Sequence, residues 1–409
     1  MNIKLEILFL ILGAILGAVV PVIYTNVINF YLNTSRTTRQ KMLESGNSYD
    51  WLIEYYKRRG GLNDLFDCRI GKLEIKIPFL TKKKWNEYKN NLLDGEDFLN
   101  YSETLNQDFP VDKKLIRKRT LLKQRLFNEP TLYLDRLDEN EKSIELHIKK
   151  CSYFQMFTLL ASLEEETFKA IRSNTFSNTP IRDTTCANTI TAQQIHARPS
   201  SIGCQVAIAL RVKTGYEIII QTRSHSTITY GGAKALIPVF GLSPIVGESA
   251  YSNILFYNFI KEYCEELFDY EELITLMTTN RVDPYWFYNL PEAQEIFGLI
   301  ERKLLALEYL GFGFDALNGS STIALLAVID DVEYSKNIKK KISTNWEVAQ
   351  RSFDTMPLEF IDYKSPKLEE WLQRKEYHFG SAFTLARALE ELDNRLQKNN
   401  DPALREQVI

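Results

Sequence analysis

From Ile7 to Tyr24 the chain carries no charged residue. As a helix rising ~1.5 Å per residue, such a stretch covers about 27 Å, close to the hydrocarbon thickness of a bilayer. Glu6 abuts the run and no A-x-A-like cleavage pattern follows it, which separates it from a secretory signal peptide. A core helix at the extreme terminus competes with this reading, but the length rule favours a transmembrane anchor, assigned to residues 1–33. Lys4 precedes the run, whereas Arg36, Arg39, Lys41, Lys57, Arg58 and Arg59 follow it. The positive-inside tendency then predicts a single-pass protein of the inner membrane, with everything after the helix in the cytoplasm and membrane lipid as a partner. Gly13 and Gly17 stand one helical turn apart, a spacing that lets two helices approach closely but also arises by chance in apolar helices.

The rest of the 409 residues has an ordinary globular make-up, 44% hydrophobic and 25% charged, with a net charge of −3. That balance points to no particular partner, and no DNA or RNA polymer is expected. Cys68, Cys151, Cys186, Cys204 and Cys264 are scattered singly, without a C-x-x-C pair, so neither a disulfide scaffold nor a zinc framework is indicated. The histidines lie far apart along the chain, which speaks against a histidine-built metal site.

Residues 34–195 read as a helical and mixed connecting region. "YDWLIEYYKRR" is amphipathic and ends at a double glycine, and "KLEIKIPFL" alternates as a short strand. A dense basic run from Lys113 to Arg125 suits either a solvated helix face or an anionic surface, and the solvated face is preferred. "KSIELHIKKCSYFQMFTLLASL" reads as a strand followed by a helix. Residues 173–202, rich in Ser, Thr and Asn, read as loop and place a boundary near 195/196.

Beyond it, Cys204–Val212 and Tyr216–Ser224 are apolar strand patterns joined by Lys213-Thr214-Gly215, a hairpin signal. The segment after the next loop places Phe256, Phe259, Ile260, Tyr263 and Leu267 at helical spacing, with Glu262, Glu265 and Glu266 projecting away from most of that stripe. Three neighbouring carboxylates repel unless neutralised. A hard divalent cation does so well; water also suffices, because like-charge pairs at these spacings cost only a few tenths of a kcal/mol. Taken alone, the helix suits a solvated face.

The order of hairpin, glycine-bearing loop, E-x-x-E-E helix and later strands resembles the Nudix superfamily, whose signature is G-x5-E-x7-R-E-U-x-E-E-x-G-U. In strict register this chain offers Gly247, Asn253, Lys261, Glu262, Tyr263, Glu265, Glu266, Phe268 and Asp269. A second alignment makes Gly247-Glu248 the family's Gly-Glu with a longer loop, and both stay open. The first glycine and the three helix glutamates match; Asn253, Lys261, Phe268 and Asp269 depart from the pattern. "IIIQTRS", "LEYLGFGFDALNGSSTIALLAVIDD", "NWEVAQ" and "GSAFTLARALEEL" resemble other parts of such domains, so the similarity covers roughly residues 195–395.

Together with the transmembrane helix and cytoplasmic mixed region read above, the resemblance implies an α+β chain that ends, over residues 196–409, in a Nudix-like α/β/α sandwich. It also implies that Glu262, Glu265 and Glu266 would ligate magnesium and serve catalysis in an active enzyme. The degenerate box, with a lysine in place of a fixed arginine fork, favours binding over turnover. Arg223 and Lys234 would then meet phosphates, and Tyr230, Phe240 and Trp346 would stack on a base, while His225 reads as a loop residue. The architecture is similar to the transmembrane–Nudix effectors of bacterial cyclic-oligonucleotide antiphage systems (CBASS). That likeness implies a nucleotide- or oligonucleotide-triggered homo-oligomer that disrupts the inner membrane. The alternative expectation is a membrane-tethered, magnesium-dependent hydrolase of a nucleoside diphosphate derivative.

Overall fold

The apolar run from Cys204 to Val212 becomes the middle of the molecule. In this computed structural model it belongs to a strand of 13 residues, Ser200–Val212. On one edge it runs parallel to Ser321–Ile329, a strand buried along its whole length, from the pair Ile202–Ser321 to the pair Leu210–Ile329. Parallel strands covered on both faces read as continuous apolar runs rather than alternating ones, and these two do. The structure describes residues 39–43, 46–88, 90–95, 98–102, 110–122, 124–140, 144–194, 199–227, 229–245, 253–270, 283–349 and 357–400.

In chain order the strands are β1 (Leu65–Ile70), β2 (Leu73–Leu80), β3 (Leu99–Ser102), β4 (Pro130–Glu139), β5 (Ile144–Ser152), β6 (Ser200–Val212), β7 (Gly215–Thr222), β8 (Lys234–Leu236), β9 (Val239–Gly241), β10 (Leu305–Asp315), β11 (Ser321–Ile329) and β12 (Leu358–Asp362). The helices are α1 (Asn47–Arg58), α2 (Lys83–Glu87), α3 (Lys113–Leu121), α4 (Tyr153–Arg172), α5 (Pro180–Thr185), α6 (Thr189–Gln193), α7 (Ile254–Phe268), α8 (Pro291–Glu301), α9 (Val332–Lys341), α10 (Pro366–Gln373) and α11 (Phe379–Asn400).

The strands join one mixed sheet with the main order β1-β2-β10-β11-β6-β4-β5-β3. The hairpin read from the sequence is present: β6 and β7 pair from Ala209–Ile218 to Val212–Gly215. The second edge of β6 is shared among several partners. β4 meets it at Ser200 and Ser201, β9 at Gly203–Gln205 and β7 at Ala209–Val212. A strand whose edge passes among three partners leaves notches where they diverge, and the candidate site lies at one of them.

Helix α11 packs on β2, β6, β10 and β11, and α4 and α9 pack on β6. Phe383 of α11 shows how the sheet is sealed: its ring stacks on Phe79 at 4.4 Å and meets Phe66 edge-on at 4.8 Å. Burying one such ring stabilises the fold by roughly 1.5–3 kcal/mol relative to leaving it exposed. Helix α4 starts with a capping box, Ser152 and Gln155 satisfying each other's backbone N–H groups.

Two sequence expectations need correction. Residues 1–33, with Gly13 and Gly17, lie outside the described residues, and among the described residues no helix is long and apolar enough to cross a membrane. The longer helices show why: α4 carries Glu164, Glu165, Glu166, Lys169 and Arg172, and α11 alternates apolar with charged positions. The single-pass inner-membrane placement is therefore withdrawn. The expected fold class, a membrane helix ahead of a mixed region and an α/β/α sandwich, is corrected to α+β built on one large mixed sheet. Strands from the connecting region join that sheet, β2 beside β10 and β4 beside β6.

Candidate functional site

Where β6 changes partners, a cavity of about 320 Å³ opens. That is near the lower end of the 300–1,000 Å³ usual for small-molecule sites. β6 contributes Ser201, Gly203 and Gln205, β9 contributes Val239, Phe240 and Gly241, and β11 contributes Ser321 and Thr322. Glu262 and Glu265 come from α7, Arg223 from the end of β7, and Trp346 and Glu347 from the loop after α9. Arg125, Phe127 and Glu129 come from the segment before β4.

Gly203 is required by the close approach of β9. A Cβ there would fall inside contact distance of the Phe240 carbonyl oxygen. Backbone contacts also fix the loop carrying Trp346. Ser224 N–H donates to the Glu347 carbonyl at 2.6 Å, Ala349 N–H to that of Thr222 at 2.8 Å, and Asn345 N–H to that of Glu266 at 3.3 Å. The loop is thus tied to both β7 and α7, with its indole and carboxylate lining the cavity.

Arg223 is 5% exposed. Its Nη2 donates to Glu347 at 3.1 Å, but its Nε and Nη1 are buried without a hydrogen-bond partner among the described residues. Trp346 shares the condition: its indole Nε1 is buried and has no partner among them. The Arg125 guanidinium lies 4.7 Å from the centre of the Trp346 ring, a cation–π contact that orders both side chains.

The glutamates of α7 do not form the water-facing surface that helical spacing suggests. Glu265 and Glu266 are 8% and 1% exposed. Lys261 supplies the neutralising charge, its Nζ standing 3.4 Å from carboxylate oxygens of both Glu262 and Glu265. Burial pushes the Lys261 ammonium down, but Glu265 and Glu262 outweigh it and the net shift is upward, so the lysine stays charged. Glu266 is engaged elsewhere: it accepts from Val239 N–H at 2.9 Å and from the Gln221 amide at 3.5 Å. Burial raises the carboxyl pKa of both Glu262 and Glu266, and nearby Glu347 adds to each rise.

This donor set does not fit a magnesium ion. Lys261 stands between two of the carboxylates and Glu266 is held by the backbone of β9. Among the described residues, the group of three side chains with ligand atoms within 4.8 Å of one another is Asp138, Glu145 and His147, on β4 and β5. There Arg136 Nη2 already sits 3.0 Å from both Asp138 and His147.

Five of the residues singled out from the sequence meet in the cavity: Arg223, Phe240, Trp346, Glu262 and Glu265. Tyr230 and Lys234 do not line it. Tyr230 is 1% exposed, its hydroxyl donating to both oxygens of Asp315 at 2.8 Å and its ring lying 4.2 Å from that of His378. Lys234 pairs with Glu359 at the edge where β8 meets β7. His225, read as a loop residue, contacts Gln40 at 3.1 Å.

Sequence reasoning passed over Gln205, Ser321, Thr322, Tyr153, Glu347 and His378, all of which line the cavity. Only Glu347, beside Trp346, carried a local signal. In the sequence Arg125 is the end of the basic run from Lys113, a pattern that suits a solvated face. The chain matches no model of a known protein family and no curated protein sequence.

Proposed function

We propose that this cleft binds a nucleotide-class ligand and does not hydrolyse it. The observation that carries the reading is Arg223, which lines the cavity as a guanidinium withdrawn from water and whose Nε and Nη1 have no hydrogen-bond partner among the described residues. Leaving a buried donor unsatisfied costs about 1–3 kcal/mol, and a fold tolerates that most readily where a ligand completes the bond. Arginine's planar fork suits phosphate oxygens. Trp346, Phe240 and Tyr153 in the same lining offer faces for a base, whose stacking is worth roughly 1–3 kcal/mol. The β6–β7 hairpin, followed by α7 with its carboxylates beside the cavity, supports a Nudix-like reading.

Binding without turnover follows from Lys261. Metal-assisted attack on phosphorus needs a cation to activate water and offset phosphate charge. Here the carboxylates that would hold it are neutralised by a covalently attached ammonium. A cyclic nucleotide or oligonucleotide signal that brings copies of the chain together is the form of this proposal closest to the resemblance, and no membrane step enters it.

The test is thermal unfolding of the full chain against a nucleotide panel, with chromatography of the nucleotides after incubation with magnesium. At a hundredfold excess over Kd, a ligand specific for the folded state stabilises by about 2.7 kcal/mol. A clear rise in Tm with intact nucleotide is expected. Product formation would replace the binding reading with the hydrolase, and no shift with any nucleotide would remove both.

A further inference from the structure

Two side chains of the cleft have their hydrogen-bonding direction fixed from behind. Gln205 and His378 both line it and are 4% and 5% exposed. Ser381 on α11 orients the Gln205 amide. Leu236 N–H donates to the Ser381 hydroxyl oxygen at 3.2 Å, and the hydroxyl donates on to Gln205 Oε1. A backbone N–H can only donate, so the relay runs one way and leaves the Gln205 amino group for the cavity. His378 is set in the same manner. Gly380 N–H donates to its Nδ1 at 3.1 Å, which puts the proton of a neutral ring on Nε2. Burial, helped by the Arg223 charge, holds the imidazole well below its ordinary range, so the ring stays neutral. Neither Gln205 Nε2 nor His378 Nε2 has a hydrogen-bond partner among the described residues. The two side chains share one corner: a Cβ at Gly380 would meet Gln205 Cγ and His378 Cε1 at 3.3 Å each.

We infer that Gln205 and His378 read the ligand's base, and that the cleft prefers the keto bases guanine and uracil to the amino bases adenine and cytosine. This rests on the nucleotide reading. Both residues offer donors, so the edge docked on them must accept. Guanine presents O6 and N7, two neighbouring acceptors, whereas adenine sets its 6-amino donor beside N7. Uracil likewise offers O4 where cytosine carries a 4-amino group. An amino group turned toward these two donors leaves buried polar groups without partners, which is disfavoured. The phosphate goes to Arg223 instead, because a charged donor makes the stronger bond to an anion.

The experiment is equilibrium titration of the full chain with the 3′,5′-cyclic monophosphates of guanosine, inosine, adenosine, uridine and cytidine, which share one sugar and one phosphate. The guanosine and inosine compounds bind about tenfold more tightly than the adenosine one, and uridine more tightly than cytidine. Inosine lacks guanine's 2-amino group but keeps O6 and N7, so it follows guanosine. Gln205→Met removes the amino group at similar volume and narrows the gap by weakening the keto compounds. Unliganded Tm values establish that the variant folds; should it not, the base panel on the parent chain decides alone. Adenosine binding as tightly as guanosine and inosine overturns the inference and leaves the nucleotide reading intact. Inosine falling to the adenosine level also overturns it, because the 2-amino group would then be the feature read. An equal loss for every compound in Gln205→Met places the amide on phosphate or sugar and overturns it as well. Binding by none of the probes removes both the inference and the reading beneath it.

Discussion

Arg119 and Glu164 face each other at 2.6 Å, with the arginine side chain fully buried and that of the glutamate 4% exposed. Arg39 closes on the other oxygen of the same carboxylate at 2.7 Å, and Glu165 supplies the second negative charge, 3.1 Å from Arg119. The pair ties α3 to α4 and holds the helical segment containing Arg39 against them. Arg119 also reaches Gln124 at 3.4 Å, and Gln124 donates to the Thr227 carbonyl at the cleft.

Removing the charge at Glu164 takes the carboxylate from Arg39 and leaves Arg119 with Glu165 alone, at 3.1 Å. Breaking a buried pair from one side costs about 3–5 kcal/mol, and Glu164→Gln is expected to lower urea-unfolding stability by that order. The pH dependence has a definite sign. Burial pushes the Glu164 carboxyl up, but Arg39 and Arg119 more than reverse it and the folded pKa lies below the ordinary value. Its contribution is complete above the unfolded value of ~4.3 and is lost as the pH falls through the depressed folded value. The variant should lack that part of the acid limb, and an unchanged limb would assign the acid sensitivity to other groups.

Asp315 works in the opposite sense. Burial pushes its carboxyl up to about 7, against the hydrogen bonds from Leu317 N–H and Tyr230 that favour the charged form. A raised carboxyl loses stability as the pH climbs from the unfolded value, ~3.9, to the folded one, and the loss is then constant. At about 1.4 kcal/mol per unit, this single group costs roughly 4 kcal/mol across that window. Asp315→Asn keeps an acceptor for Tyr230 and should flatten stability between pH 5 and pH 8. Equal slopes in the two proteins, by chemical denaturation, would contradict the assignment.

Lys261→Met leaves Glu262 and Glu265 without their ammonium. Stability at neutral pH should fall by about 2–4 kcal/mol and recover on acidification, as the carboxyls take up protons. Magnesium should now stabilise the variant and leave the parent unaffected. Equal responses to magnesium, measured by Tm, would show that the lysine is not the internal counterion.

Gly203→Ala tests how the notch is built. A methyl group there meets the Phe240 carbonyl oxygen and cannot be accommodated without moving β9. Overpacking of this kind costs about 1–3 kcal/mol. Ligand affinity should fall further than stability alone explains, because Phe240 and Gly241 line the cavity. Unaltered binding would place the ligand away from β9.

Much of the framework is legible in the amino-acid sequence. The β6–β7 hairpin and the α7 stripe announce themselves through apolar runs and a short turn, whereas the segment that forms β10 and β11 enters the reading only through the family resemblance. Arg223, Phe240 and Trp346 enter through the resemblance, which implies a cation for phosphate and aromatic faces for a base. What could not be read is pairing at a distance. The partition of one edge of β6 among β4, β9 and β7 is non-local, and it brings Tyr153, Ser321 and Gln205 into one cavity. Helical spacing showed which face Glu265 and Glu266 share, but not that Val239 and Lys261 would satisfy them away from water. Tyr230 and Lys234 carried suitable chemistry, and Asp315 and Glu359 claimed them.

The central claim is that Arg223 is the anion contact of a ligand cleft. Calorimetric titration of the full chain and its Arg223→Ala variant with cyclic AMP tests it most directly, with unliganded Tm values compared alongside. Hydrogen bonds to charged groups contribute about 1.5–3 kcal/mol each, so the account predicts at least a tenfold loss of affinity in the variant, with the fold retained. Equal affinity in the two proteins would contradict it.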